Sequence, residues 1–240
     1  GSDNIASIMD KLGMEEDEPI EHSLITRSIE QAQKKVEARN FDIRKHVLEY
    51  DNVMNQQREV IYGQRRQILM GESMRDDIFH MIEKIIARGM ELYANEKVYP
   101  EEWDYAGLIE YCEDFFAPEG RLKADELDKL SREELSEELY KTAEEAFNAR
   151  EALFGEENMR ELEKVVMLRV VDSKWMEHLD AMDMLREGIG LRAYGQRDPL
   201  IEYKIEAYDM FQQMIDHVQE DIVRYIYRVN IVTQPEDRLK

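Results

Sequence analysis

The sequence predicts an all-α protein with three parts: one long helix, an inserted helical module and an antiparallel two-helix hairpin. Apolar residues recur at three- and four-residue intervals over most of the 240 residues, which is typical of amphipathic helices. No proline interrupts this pattern between Ile20 and Met70. Near the C-terminal end, two helical runs of similar length flank a glycine-containing loop at residues 187–198, which predicts a hairpin.

The long helix is predicted from about Ile20 to Met70. Two apolar series repeat every seven residues along it: Ile29, Val36, Ile43 and Tyr50, then Val47, Met54, Ile61 and Ile68. At 1.5 Å per residue, about 50 residues would span roughly 75 Å, too long for one small core to stabilise. We therefore expect a spine against which several bodies pack. A dimeric coiled coil is the alternative, which the change of register between the two series disfavours.

An acidic helical module is predicted at residues 71–154. Residues 71–160 hold 25 acidic and 11 basic side chains, and the whole chain has a formal charge of −22. Ser131 and Glu134 have the spacing of a capping box at the start of one of its helices. Adjacent glutamates point in different directions around a helix, which favours a solvated surface over a metal site. Nucleic-acid binding would need the opposite charge, and none is expected.

The hairpin has a first arm at about 156–187 and a second at about 199–228. Apolar positions with helical spacing predict the packing face of each arm: Leu168, Val171, Trp175, Leu179, Met182 and Leu185 in the first, and Ile201, Ile205, Tyr208, Ile215, Val218, Ile222 and Tyr225 in the second. Asp198 suits the N-cap and Pro199 the first turn of the second arm. The two arms are therefore predicted to pack antiparallel. After Asn230 the chain turns polar, so residues 231–240 are expected to fray.

The loop between the arms is the strongest candidate for a binding site. Three arginines, at positions 186, 192 and 197, make it basic on an acidic protein. Ile189, Leu191 and Tyr194 are apolar or aromatic where a plain connection would be polar. Ile189 and Leu191 have the alternative of folding back to cap the core of the hairpin. Tyr194 lies between Ala193 and Gly195, which leave its ring room to reach a partner.

Catalytic motifs are absent from the sequence, which contains no phosphate-binding loop, dinucleotide fingerprint, zinc-protease motif or serine-hydrolase elbow. We therefore predict no catalytic residue and no metal ligand. His178 lies near Glu177 and Asp180 and resembles a carboxylate–histidine site, with packing or solvent exposure as its alternative. Cys112 is the single cysteine, which excludes an internal disulfide, fits a reducing cytosol and suggests a half-buried position. No apolar run approaches a membrane span, and no signal peptide is recognisable.

Two long motifs make the chain resemble SecA, the bacterial protein-translocation ATPase. The first motif resembles its scaffold helix and the second its two-helix finger. In addition, Leu12-Gly13-Met14 and Ile20-Glu21-His22 resemble the exit from its second nucleotide-binding domain. The scaffold motif comprises residues 36–45, Leu48-Glu49-Tyr50-Asp51 and Gln57-Arg58. The finger motif comprises Trp175, Glu177-His178-Leu179, Ala181-Met182-Asp183, Leu185-Arg186, Gly188-Ile189, Leu191-Arg192, Tyr194, Gln196 and Asp198-Pro199.

The resemblance implies a domain order. Residues 1–19 would be the tail of a nucleotide-binding domain with a connector, 20–70 the scaffold helix, 71–154 the helical wing, and 155–230 the finger. The motor domains would precede Gly1, and a linker with a zinc-binding tail would follow Lys240. ATP and Mg²⁺ would then belong to the full-length protein, and this portion would hold no cofactor.

The resemblance also implies a role. The full protein would couple ATP hydrolysis to moving unfolded secretory preproteins through the SecY channel, from a cytoplasmic position at the inner face of the plasma membrane. Residues implied to contact the polypeptide or channel are Ile189, Leu191, Arg192, Tyr194, Gln196 and Arg197. Residues implied to join the scaffold to other domains, including the motor domains of the same chain, are Arg39, Asn40, Phe41, Tyr50 and Trp175. The basic loop also suits anionic lipid. An independent helical adaptor or dimerisation module is the alternative function.

Overall fold

The computed structural model describes residues 23–71, 74–189 and 198–229. Within these ranges the regular structure is helical, which confirms the all-α prediction. The helices are α1 (Ser23–Met70), α2 (Met74–Tyr93), α3 (Tyr105–Phe115), α4 (Ala124–Leu127), α5 (Arg132–Phe154), α6 (Glu156–Ile189) and α7 (Pro199–Arg228), with a 3-10 turn at Pro100–Glu102. Residues 1–19, assigned by resemblance to the tail of a nucleotide-binding domain with its connector, and the tail at 231–240 lie outside the described residues, and the division into domains stays a prediction.

The chain divides into two units, Gly1–Asn55 and Gln56–Lys240. The described part of the first unit is the N-terminal stretch of α1, where the predicted seam residues Ile29, Val36 and Ile43 are exposed. Phe41 and Leu48 are exposed as well. This stretch therefore has apolar surface along much of its length.

The acidic module has its core where α2, α3 and α5 meet. The packing face of α2 follows the predicted period and buries Ile78, Ile82, Ile85 and Ile86. Gly89 permits a close approach, because a Cβ at this position would lie only 2.8 Å from a ring carbon of Tyr111 on α3. Cys112 is fully buried beside this contact, deeper than the half-buried position predicted for it. Burial raises the pKa of its thiol to about 12.

The start of α5 confirms the predicted capping box. Ser131 Oγ accepts a hydrogen bond from the Glu134 backbone N–H at 3.2 Å, and the Glu134 carboxylate accepts from the Ser131 N–H at 2.8 Å. These bonds favour the charged carboxylate and lower its pKa. At the other end, Gly155 takes φ = +84°, a conformation that favours glycine, and the chain turns directly into α6.

Side-chain contacts set the start of α3. It begins at Tyr105, because the Asp104 side chain caps it by accepting from the Gly107 N–H at 2.9 Å. Trp103, just before it, donates its indole N–H to the carbonyls of Asn95 and Val98, each at 3.1 Å. The four-residue helix α4 was not predicted, since it is too short to show a period.

α6 and α7 form the predicted antiparallel hairpin. Lys174 pairs with Asp221 at 3.3 Å, while His178, one turn further along α6, faces Phe211, which precedes Asp221 by ten residues. Asp198 caps α7 by accepting from the Leu200 N–H at 2.9 Å, and Pro199 occupies the first turn, as predicted.

The packing face predicted for the first half of α7 was wrong. Ile201, Ile205 and Tyr208 are all more than half exposed. The buried face carries Tyr203, Ala207, Phe211, Met214, Val218 and Ile222. Tyr203 is two residues, or about 200°, from Ile201 around a helix, so the predicted stripe lies on nearly the opposite side. The hairpin therefore has an exposed apolar stripe on its second arm.

Candidate functional site

The base of the hairpin is fixed to the acidic module by a buried tyrosine. Tyr227, near the end of α7, donates its hydroxyl to the Ala143 carbonyl of α5 at 2.8 Å. Its ring packs edge-on against Phe116 and Phe147, with centroids 6.3 and 6.2 Å away. Burial raises the pKa of this phenol, so the hydroxyl keeps its proton and its hydrogen bond.

Ion pairs surround the same contact. Asp114 at the end of α3 accepts from Arg224 at 3.0 Å and from Arg228 at 2.8 Å, and Arg88 of α2 pairs with Glu220. The Arg224 guanidinium also lies 4.6 Å from the centroid of the Phe115 ring, a cation–π contact. Partly exposed pairs each contribute little, but together they orient α7 on the module.

A second anchor holds the start of α6. Glu163 is fully buried and accepts two hydrogen bonds from Arg160 at 2.5 and 2.8 Å. Arg160 also pairs with Glu151 of α5, which in turn accepts from Arg75 of α2 at 2.8 Å. Burial raises the pKa of Glu163, while Arg160 opposes the shift. The cluster therefore ties three helices together where the module meets the first arm.

The middle of the hairpin is joined to α1 by a buried polar contact, which we call the joint: Gln57, His178 and the Ala207 carbonyl. Gln57 donates its side-chain N–H to the Ala207 carbonyl at 3.0 Å. His178 Nε2 lies 2.9 Å from Gln57 Oε1. Since the Gln57 amide nitrogen is directed at Ala207, its oxygen must accept, and His178 carries its proton on Nε2. The joint therefore connects one helix to both arms.

Aromatic rings enclose the joint. Trp175 and Phe211 lie on the two arms, with ring centroids 5.6 and 5.7 Å from that of His178. Burial lowers the pKa of His178 from its ordinary value of 6.5, so the imidazole is neutral at neutral pH. The neighbouring Glu177 and Asp180 are exposed and point elsewhere. His178 is thus a packing and hydrogen-bonding residue, as its alternative interpretation had it, and not part of a carboxylate–histidine site.

At the edge of the joint, Arg65 of α1 reaches Asp172 of α6, with Nε 3.0 Å from Oδ1 and an amino group 3.5 Å from Oδ2. Ile61 and Ile68 complete the buried face of α1. The second seven-residue series of the sequence therefore becomes a packing face in its C-terminal half.

The structure describes only some of the predicted site residues. Leu191, Arg192, Tyr194, Gln196 and Arg197 lie outside the described residues, and their contacting role stays a prediction. Ile189 is described and only 3% exposed, which fits the alternative in which it caps the hairpin core.

The predicted interdomain residues fall on both units. On α1, Arg39, Asn40 and Phe41 are exposed and Tyr50 is half-buried. Trp175 lies in the joint. Sequence reasoning assigned no role to Gln57, although a glutamine continuing the series Ile29, Val36, Ile43 and Tyr50 was a visible signal.

The described residues contain neither a metal-binding cluster nor a membrane-spanning helix. Among the described histidine, cysteine and acidic side chains, no group of three or more is arranged to hold a metal ion. None of the helices described has the length and apolar composition needed to cross a membrane.

The fold and the joint define a helical scaffold protein that carries a two-helix hairpin fixed at its base and middle. Comparison with known proteins assigns the chain to a family. Residues 19–230 match the family model of the SecA wing and scaffold domain. The chain therefore belongs to the SecA family and represents the wing and scaffold portion of a SecA-type translocase subunit.

Similar proteins agree with this family. The chain is 59% identical to the protein translocase subunit SecA of Pelotomaculum thermopropionicum over 238 residues, covering 99% of this chain and 27% of that protein. It is 58% identical to SecA of Carboxydothermus hydrogenoformans, with the same coverage. It is 48% identical to SecA 1 of Clostridioides difficile, covering 98% of this chain and 26% of that protein. The chain thus spans about a quarter of the length of these relatives.

Proposed function

We propose that this chain is the scaffold, wing and finger of a SecA-type motor that couples ATP hydrolysis to moving unfolded secretory polypeptides through the SecY channel. On this proposal α1 is the scaffold helix, α2 to α5 form the wing, and α6 with α7 form the finger. The observation that carries it is the 59% identity to a protein translocase subunit over 99% of the chain. ATP and Mg²⁺ bind in motor domains outside this portion, which turns over no ATP alone.

The geometry supports a mechanical role for the finger. Tyr227 and the Asp114 ion pairs hold its base, and the joint holds its middle. Residues 187–189, predicted as part of the loop, belong to α6, which ends at Ile189. Both anchors lie on the arms at a distance along the chain from Ile189 and Pro199, so the segment that joins the arms is attached to helices whose other ends are fixed. An aromatic ring such as that of Tyr194 packs on many side chains without requiring one sequence, which suits a substrate that changes as it moves.

The proposed partners follow from the same residues. Tyr194, with Leu191 and Gln196, contacts the moving polypeptide, and Arg192 and Arg197 contact the channel mouth or anionic lipid. The exposed apolar side chains between Ile29 and Leu48 are the surface for the motor domains of the same chain. Such a protein works in the cytoplasm, at the inner face of the plasma membrane.

The proposal is tested by Tyr194→Ala in a full-length chimera, in which this chain replaces the matching region of the Pelotomaculum relative. We expect preprotein transport into vesicles to fall at least about tenfold, equivalent to about 1.4 kcal/mol in the barrier. The melting temperature should not change. The matched control is Tyr99→Ala, which removes a tyrosine of the acidic module that is 78% exposed. Normal transport by the Tyr194 variant would contradict the assignment.

The exposed apolar stripe between Ile29 and Ile43 also keeps the second candidate function open. Ile29, Val36 and Ile43 repeat every seven residues and are exposed, which is the pattern of a dimerising helix. Sedimentation separates the two functions. A dimer whose dissociation depends on these residues favours an adaptor, and a monomer that binds added motor domains favours the translocase.

A further inference from the structure

Gln57 is a buried polar residue in an otherwise apolar helix face. Its side chain is 6% exposed, and its neighbours on the same face of α1, Ile61 and Ile68, are buried as well. Both ends of its amide are used, one by Ala207 on α7 and the other by His178 on α6. A single side chain thus contacts both arms of the hairpin.

The bonds of Gln57 depend on register in a way that apolar contacts do not. Sliding α1 by one turn moves each side chain by about 5.4 Å, which would break both hydrogen bonds. The Nε2–H of His178 would then be buried without its acceptor and the Gln57 amide would lose both of its partners, which disfavours the slipped register. Ile61 and Ile68 would meet other apolar side chains after the same slip.

The ion pair between Arg65 of α1 and Asp172 of α6 constrains the register less than the buried amide does. Arg65 and Asp172 are each about half exposed, at 44% and 51% of their side chains. Exposed pairs of this kind contribute little to stability. In coiled coils, a single polar residue within an apolar seam is known to set register at some cost in stability. Gln57 occupies such a position, because it continues the series that ends in Tyr50.

We infer that Gln57 is a positioning residue that fixes the register of α1 against both arms of the hairpin. The inference deepens the proposed function and, in its mechanical consequence, rests on it. A displacement of α1 along its axis is transmitted to both arms at once, because the same amide bonds to each. The hairpin then moves with the part of α1 from Gln56 to Met70, and its arms do not slide separately.

The test measures the distance between spin labels on α1 and on the hairpin by pulsed electron resonance. Labels at Leu69→Cys and Met184→Cys lie at exposed positions. Cys112 is fully buried with a raised pKa, so it should escape labelling. The variant is Gln57→Leu, which keeps the size of the side chain and loses both hydrogen bonds. Gln56→Leu is the matched control, since Gln56 is the exposed neighbour.

We expect one narrow distance distribution for the native chain and for Gln56→Leu. Gln57→Leu should give a broad distribution or a second population displaced by about one helical turn, 5.4 Å. An unchanged narrow distribution in Gln57→Leu would overturn the inference, whatever its effect on the melting temperature. Should that variant fail to fold, Gln57→Glu replaces it, because it can still accept from His178 and cannot donate to Ala207.

A spectroscopic readout separates positioning from general stability. The Nε2–H resonance of His178 in a proton–nitrogen-15 correlation spectrum should shift in Gln57→Leu. It should keep its native position in Gln56→Leu. If the label distances broaden but the full-length chimera with Gln57→Leu transports normally, the register inference stands and the mechanical part of the proposed function fails. If the distances do not broaden, the inference fails regardless of transport.

Discussion

Replacing Phe147 by alanine should lower the free energy of unfolding of the unit at 56–240 by about 3–5 kcal/mol, the usual cost of removing a buried aromatic ring. Phe147 is fully buried on α5. Its ring lies 5.3 Å from Phe79 on α2 and 6.2 Å from Tyr227 on α7, between centroids. The Arg75 guanidinium packs over it at 5.1 Å. The substitution therefore weakens the wing core and the base of the finger together.

Urea denaturation followed by circular dichroism measures this loss. Leu153→Ala is the control on the same helix, because Leu153 is 76% exposed and should change stability by no more than about 0.5 kcal/mol. Equal midpoints for the two variants would mean that the wing core does not support the finger base as described.

Trp175→Ala should have a comparable effect at the joint. The indole is 5% exposed and packs against His178, so its removal leaves a cavity beside the two joint hydrogen bonds. We expect a loss of about 3–5 kcal/mol from the deleted ring. Hydrogen exchange should show where stability is lost: backbone amides should exchange faster in α1 from Gln57 to Ile68 and in the facing part of α6. The base around Tyr227 should be less affected.

Met176→Ala is the matched control for this prediction. Met176 follows Trp175 directly on α6 and is 61% exposed. It should leave both the stability and the exchange of α1 near native values. Faster exchange confined to the wing in Trp175→Ala would contradict the placement of the indole in the joint.

Much of the fold could be predicted because helical period and capping are local signals. The ends of α6 and α7 lie within a few residues of their predicted positions, and the Ser131 capping box and the Asp198 N-cap form as expected. Each depends on residues within one or two turns of the chain. The alternation of apolar and polar residues in α2 leaves only one face to bury.

The predicted face of α7 failed because two stripes of that helix satisfy the same spacing. Ile201, Ile205 and Tyr208 are as apolar as Tyr203, Ala207 and Phe211, and period alone cannot rank them. The choice depends on what α6 presents across the hairpin, which is tertiary information. Tyr203 is among the largest fully buried side chains. Because Tyr203 is buried, Ile201 and Ile205 lie on the opposite, exposed side of the helix.

The joint was beyond sequence reasoning for a similar reason. Gln57 and His178 are 121 residues apart, and only the folded chain brings their side chains to 2.9 Å. The acidic residues around His178 suggested a carboxylate–histidine site. The residues that determine the role of His178 are Trp175 and Gln57. A glutamine in an apolar seven-residue series is the signal that points to such a contact.

The exposed stripe on α7 gives the hairpin a second apolar surface. Its inner face contacts α6 and the joint, and its outer face carries Ile201, Ile205 and Tyr208 in contact with solvent. Burying such residues against a partner would contribute roughly 25 cal/mol per Å² of apolar surface.

The central claim is that the finger loop meets the moving polypeptide. It is tested most directly by placing a photo-reactive amino acid at position 194 of the full-length chimera and irradiating it during arrested transport. We predict that position 194 crosslinks to the preprotein, and only when ATP and the channel are present. A probe at the exposed position 165 on the first arm should not crosslink. Equal crosslinking from both positions, or none from position 194, would contradict the account.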